Sequence, residues 1–154
     1  MKILCVCLGN ICRSPLAEGI LKSKLPTSFF VDSAGLLSFH QGEHPDERAI
    51  KVAHNHHLDI SKQKSRPILD SDFDQFDLIY CMDESVYREV LAKAKNEEQK
   101  SKVKLFLKEV QLGDGKNVPD PYYGTFKDFE SVYQLIDEAS EMIAQKLSNN
   151  KINN

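Results

Sequence analysis

The chain of 154 residues has no tryptophan, only seven glycines and six prolines, and no apolar run long enough to cross a bilayer. The low glycine and proline content excludes a collagen-like or low-complexity chain. The apolar opening Ile3–Leu8 stops at Gly9-Asn10, far short of the roughly 20 apolar residues a spanning helix needs. No charge of either sign predominates: 20 basic residues face 23 acidic ones, a net charge of −3. That balance argues against broad binding to nucleic acid or to an anionic membrane. Repeats and linkers are also missing, so one domain is expected over residues 1–148, with a frayed Asn-rich tail over 149–154. With 41% hydrophobic and 28% charged residues, the composition is that of an ordinary soluble globular protein.

The four cysteines, Cys5, Cys7, Cys12 and Cys81, have the wrong spacing for a zinc site: Cys5-x-Cys7 is not a usual ligand pair, and no second pair follows. Neither a metal nor a cofactor is expected. Three of the four crowd into eight residues. With no export signal apparent, a cytoplasmic chain with reduced thiols is the natural reading, which points the cluster toward catalysis. Cys5 and Cys81 sit in apolar runs and read as core. His54, His56 and His57 read as a solvated helix end, since a metal would need a further ligand and a pocket.

Strand-like and helix-like segments alternate. Lys2–Leu8, Phe29–Asp32, Phe76–Cys81 and Val103–Leu107 read as strands. Helices are predicted from Ser14-Pro15 to Leu25, after a cap at Asp46, over Glu84–Ala94, and over Phe129–Leu147. The first is expected to be capped by Ser14, and the charged stretch Lys93–Lys104 to form an exposed helix and turn. Such alternation predicts an α/β fold: one open four-stranded parallel sheet with helices on both faces. Ligands of such sheets bind at the strands' carboxyl ends, and the first strand ends at Cys7.

From there the sequence runs Cys7-Leu8-Gly9-Asn10-Ile11-Cys12-Arg13-Ser14. A loop between a strand and a helix start can point successive N–H groups inward as an anion nest. Gly9 and Asn10 tolerate the positive φ such a curl needs, the backbone of Leu8, Ile11 and Cys12 completes the nest, and Arg13 offers a fork matched to two phosphate oxygens. The N–H groups and helix dipole that attract phosphate also stabilise a thiolate at Cys7, toward which Ser14 can donate a hydrogen bond. A thiolate beneath a bound phosphate is placed for in-line attack and a phosphocysteine intermediate. The plainer reading, a buried cysteine at a strand end, accounts for Cys7 alone but not for Gly9, Arg13 and Ser14 beside it. The leaving group also needs a proton donor. Asp120, in Pro119-Asp120-Pro121-Tyr122-Tyr123, lies on the loop after the fourth strand, although spacing alone allows it equally to be a turn former.

Together these segments resemble the low-molecular-weight protein tyrosine phosphatases. Val6–Pro15 matches that family's V-C-x-G-N-x-C-R-S-P loop without a gap, and Asp120–Tyr123 matches its Asp-Pro followed by aromatics. The likeness extends to Asp32-Ser33-Ala34-Gly35, Asp46-Glu47-Arg48-Ala49 and Cys81-Met82-Asp83-Glu84. It implies hydrolysis of phosphotyrosine proteins or small aryl phosphates, with Cys7 as nucleophile, Arg13 binding the phosphate, and Asp120 as general acid and then base. It further implies Asn10 and Ser14 as loop supports and Cys12 as a reversible disulfide partner of Cys7. Tyr122 and Tyr123 fall at one wall of the substrate pocket and Phe39 at the other. Gln63 stands where many relatives carry a histidine that braces the loop asparagine. Two rivals differ in chemistry. An arsenate reductase on this scaffold would want a further cysteine where Arg88 and Glu89 stand, and a phosphopeptide-binding module would have no use for an acid at Asp120.

Overall fold

The computed structural model of the chain describes the backbone of residues 1–153 and the side chains of residues 1–150. Its centre is β1 (Lys2–Cys7), whose five residues after Lys2 are buried, as expected of a strand covered on both faces. It pairs in parallel with β2 (Phe30–Gly35) on one side and β3 (Leu78–Cys81) on the other, and β4 (Val103–Leu105) lies outside β3. The order is therefore β2-β1-β3-β4, all parallel. The chain leaves β1 toward one edge and returns on the opposite side, so the strand order switches at the carboxyl end of β1. A crevice opens at such a point, and Cys7 stands at its floor.

Side chains alternate across the sheet. Ile3, Cys5 and Cys7 pack with α1 (Arg13–Lys24), α2 (Glu47–Asn55) and α6 (Phe126–Asn153) through residues such as Leu16, Ile20, Val52 and Ile136. Leu4 and Val6 face the other way, onto Phe73 of α3 (Asp72–Gln75) and onto Val86 and Val90 of α4 (Glu84–Lys93). Helices thus cover both faces, as the alternation predicts. Asp46 and Asp83 cap α2 and α4 by accepting from Arg48 N and Val86 N, each at 2.8 Å. Asn96 does the same for α5 (Glu97–Lys102), within the charged stretch expected to be helix and turn.

Besides shifts of one or two residues at the ends of other strands and helices, the boundaries differ in four places. β2 runs on to Gly35 because its parallel register with β1 pairs Cys7 with Gly35. The short α3 has no apolar period of its own and escapes a pattern search. Helix α1 begins at Arg13, and Ser14 does not cap it: the preceding Cys12 makes no side-chain cap bond, and the Ser14 hydroxyl is engaged by the loop instead. Pro15 still falls in the first turn, where a missing N–H costs nothing. Helix α6 also starts earlier, at Phe126, and runs to Asn153. Extending a formed helix is far easier than starting one, so modest helix formers there are accommodated. Asn154 lies outside the described residues.

Candidate active site

The loop from Cys7 to Arg13 is held by its carbonyls. Those of Cys7 and Leu8 accept from Leu36 N and Leu37 N at 3.1 and 3.0 Å, and that of Ile11 accepts from Asp46 N at 2.8 Å. The Gly9 carbonyl accepts from Ser65 Oγ at 3.1 Å. Turning carbonyls outward leaves the amide edge of the loop toward the crevice, the arrangement that holds an anion. Asn10 N shows the direction, donating to Cys7 Sγ at 3.3 Å. The neighbouring strand allows this only because position 35 is glycine. A Cβ on Gly35 would stand 3.0 Å from Asn10 N, Gly9 C and Leu8 O at once.

Asn10 is the internal strut. Its backbone is left-handed, φ 56°, which asparagine tolerates better than most residues. Its Nδ2 donates to Ser14 Oγ at 2.8 Å and Ser33 Oγ at 3.0 Å, while its Oδ1 accepts from Arg66 N at 3.1 Å. Ser14 Oγ in turn lies 3.0 Å from Cys7 Sγ, so Asn10 and Ser14 both act on the sulfur's surroundings. Gln63 takes no part in this bracing. It donates from Nε2 to Pro15 O at 3.1 Å, and its Oε1 is buried without a partner. Asn10 is held instead by Ser33 and by the backbone of residue 66.

Behind Ser33 stands Glu18, 7% exposed, accepting from Ser33 Oγ at 2.8 Å. Burial pushes its carboxyl from the ordinary 4.5 to about 7, the Ser33 hydrogen bond opposes the rise, and the Asp32 carboxylate adds to it. A raised carboxyl favours the neutral form in the folded state. Stability is therefore undiminished below about pH 4.5, declines as pH climbs toward 7, and stays lower above it, by on the order of 3 kcal/mol. Glu18→Gln keeps an acceptor for Ser33 and has no proton to lose, so it should flatten this slope. Denaturant titrations at pH 5 and pH 8 check it: the variant should gain on wild type far more at pH 8 than at pH 5, and an equal difference at both would assign the effect to packing.

Arg13 is 4% exposed. Its Nη1 donates to Asp83 Oδ2 at 2.6 Å and to Val118 O at 3.0 Å, and its Nη2 lies 3.7 Å from Asp120 Oδ2. Asp83 fixes one arm of the fork, which leaves the other toward Asp120 and the crevice. Asp120 is half-exposed and accepts from Tyr122 N at 3.1 Å through Oδ1, an Asx turn that makes it a turn former as well as a carboxylate at the mouth. The crevice has a volume of about 270 Å³ and brings Cys7, Cys12, Arg13 and Asp120 into one lining, with Leu8, Gly9 and Ile11 in the loop wall. Phe39, Tyr122 and Tyr123 line its rim. Phe39 and Tyr123 are 83% and 93% exposed, so both rings are open to a ligand and bury little without one.

Several site residues were not singled out from sequence. Leu37 and His40 line the same rim, with His40 edge-on to Phe39 at 4.9 Å between ring centroids. Asp83, Ser33, Ser65 and Arg66, from segments distant in sequence, bond the loop directly, and Glu18 backs Ser33. Cys5 and Cys81 are fully buried, and burial pushes both thiols up. The same holds for Cys12, where the Asp46 carboxylate adds to the burial effect. His56 stacks on Tyr133 at 4.1 Å, and among the described residues no three His, Cys, Asp or Glu side chains come together as a metal site.

A parallel sheet whose first strand ends in a cysteine beneath an amide-lined, arginine-bearing crevice, with a carboxylate at the mouth, has the form of a cysteine-dependent phosphatase site. The family model for low molecular weight phosphotyrosine protein phosphatase matches residues 2–153. The low molecular weight phosphotyrosine protein phosphatase of Sus scrofa is 39% identical over 86% of each chain. The crystal structure of a protein tyrosine phosphatase from Entamoeba histolytica, with Hepes in the active site, superposes with a TM-score of 0.90 at 38% identity, covering 98% of this chain and 99% of that one. Vibrio vulnificus Wzb in complex with benzylphosphonate gives 0.85 at 36%, covering 94% and 97%. The chain belongs to the low molecular weight phosphotyrosine protein phosphatase family.

Proposed function

We propose that the chain hydrolyses phosphotyrosine and other aryl phosphate monoesters through a phosphocysteine at Cys7. The observation that carries this reading is the shared crevice, which Cys7, the loop residues, Arg13 and Asp120 line together, with Arg13 Nη2 3.7 Å from Asp120 Oδ2. The Cys7 thiolate attacks phosphorus, the bond from phosphorus to the aryl oxygen breaks, and the departing electron pair takes the proton of Asp120. The Asp120 carboxylate then takes a proton from water, whose oxygen attacks the phosphocysteine. The sulfur–phosphorus bond breaks, and inorganic phosphate and the thiolate are released. Arg13 and the inward amides hold the equatorial oxygens throughout, where fixed donors in a dry site contribute most.

The substrate class follows from reach. Cys7 is 3% exposed at the floor of a crevice rimmed by Phe39, Tyr122 and Tyr123, and a tyrosine ring carries its phosphate further from the backbone than a serine or threonine side chain does. An aromatic contact contributes about 0.5–1.5 kcal/mol beyond burial. The benzylphosphonate bound to Vibrio vulnificus Wzb is an aryl ligand of this kind. A phosphotyrosyl peptide should be turned over readily, and the same peptide with phosphoserine scarcely at all. Comparable kcat/KM values for the two would remove the aryl preference.

The four cysteines are free thiols, which fits a reducing, cytoplasmic setting. Recovery of the chain only from an oxidising compartment, with paired cysteines, would contradict that placement. Cys7 and Cys12 line the same crevice, which supports a reversible disulfide between them under peroxide. Wild type treated with peroxide should recover with dithiol more completely than Cys12→Ser, and indistinguishable recovery would remove the protective role.

A further inference from the structure

We infer that Arg48 is a positioning residue that locks the Asp120 loop to the phosphate loop and so sets where the acid stands; the inference rests on Asp120 being that acid. Arg48 lies on α2, outside the crevice lining, and its side chain joins two segments more than 70 residues apart. Toward the phosphate loop it forks onto Asp46, Nε to Oδ1 and Nη2 to Oδ2, each at 3.0 Å. Asp46 also accepts from Arg48 N at 2.8 Å, and its own N–H donates to Ile11 O at 2.8 Å. Toward the acid loop, Arg48 Nη2 donates to Tyr122 O at 2.9 Å and Nη1 to Gly124 O at 3.3 Å. Tyr122 is the residue whose N–H orients the Asp120 carboxylate, at 3.1 Å. The guanidinium carbon lies over two rings, 4.5 Å from the centroid of Phe129 and 5.7 Å from that of Tyr122.

Each contact uses what distinguishes arginine from lysine: a flat fork with donors on two edges and faces that stack. The continuous path runs from Ile11 O through Asp46 and Arg48 to Tyr122, and from Tyr122 N to Asp120. The prolines on either side of Asp120 limit how the loop bends, but they do not tie it to the nest. In the structure Arg13 ties the start of that loop through Val118 O at 3.0 Å, and Arg48 ties its far side, by gripping the carbonyl of the residue that holds the acid. A displaced acid costs most where the leaving oxygen most needs its proton, and a misplacement of about 1 Å is enough for a loss on the order of 10²-fold.

The test measures kcat and KM of wild type, Arg48→Ala, Arg48→Lys, Asp120→Ala and the double variant Arg48→Ala/Asp120→Ala, on phenyl phosphate and 4-nitrophenyl phosphate, with inhibition by vanadate. Arg48→Ala should lower kcat for phenyl phosphate about 10- to 100-fold and that for 4-nitrophenyl phosphate much less. Vanadate inhibition should be unchanged, and the double variant should be no slower than Asp120→Ala alone. Arg48→Lys keeps the charge and loses the fork. It should show the same selective loss, and it carries the test if Arg48→Ala fails to fold. Equal losses on both substrates, or losses that add to those of Asp120→Ala, would show that Arg48 only supports the fold. If Asp120→Ala itself shows no leaving-group dependence, the acid assignment has failed and the inference falls with it, a result distinct from selectivity in Asp120→Ala without selectivity in Arg48→Ala.

Discussion

Replacing Cys7 by serine is expected to reduce turnover of aryl phosphates by about 10⁴-fold or more, on the scale seen when a covalent nucleophile is removed. The substituted oxygen would occupy the place of Sγ, within reach of Asn10 N and Ser14 Oγ, now at 3.3 and 3.0 Å. A serine hydroxyl there stays protonated at neutral pH, so the in-line position is filled by a poor nucleophile. The rest of the nest is untouched, because its carbonyl ties run to Leu36, Leu37, Asp46 and Ser65 and none passes through the sulfur. Binding of phosphate or vanadate should therefore persist in the variant. Residual turnover above about a hundredth of wild type would show that the reaction does not go through sulfur.

Asp120→Ala is expected to slow phenyl phosphate hydrolysis by about 10²–10⁴-fold, the usual contribution of a general acid, and to slow substrates with acidic leaving groups far less. Asp120 Oδ2 is 3.7 Å from Arg13 Nη2, and its Oδ1 is taken up by Tyr122 N. With Oδ1 taken up by the turn, Oδ2 is the oxygen left to serve a leaving group in the crevice that Asp120 lines. The measurement is kcat across a series of leaving-group pKa values. A flat dependence in wild type and variant alike would make Asp120 a turn former and nothing more.

The placement of the loop residues was legible because it is local. Cys7, Gly9, Asn10, Arg13 and Ser14 are close neighbours in sequence, and the turn from strand to helix brings them together by connectivity alone. The place of Asp120 at the same crevice follows for a related reason: in a parallel sheet, loops after strand ends share one edge. The supports were not legible, since each is a contact between distant segments. Ser33 reaches Asn10 across 23 residues, Ser65 reaches Gly9 across 56, and Asp83 reaches Arg13 across 70. A short polar residue in a loop gives no sign that its hydroxyl will be buried against another loop. Ser14 departs from the cap its sequence predicts for the opposite reason. Ser-Pro at a helix start has a strong local preference for capping, but the tertiary contact with Asn10 and the sulfur prevailed. The run Asp32–Gly35 lacks the branched apolar residues of a strand, yet register with β1 extends pairing to its glycine, the residue whose missing Cβ makes room for the phosphate loop.

The most direct test of a phosphocysteine at Cys7 is to trap it. Asp120→Ala should accumulate the intermediate on a substrate with an acidic leaving group, because the first step needs little acid while the second lacks its base. Acid quenching within the first turnover, proteolysis and mass spectrometry should place one phosphoryl group on the peptide containing Cys7, and none should appear in the Cys7→Ser/Asp120→Ala double variant. A phosphoryl group found on another residue, or phosphate released at full rate with none on the protein at any time, would contradict attack by the Cys7 thiolate.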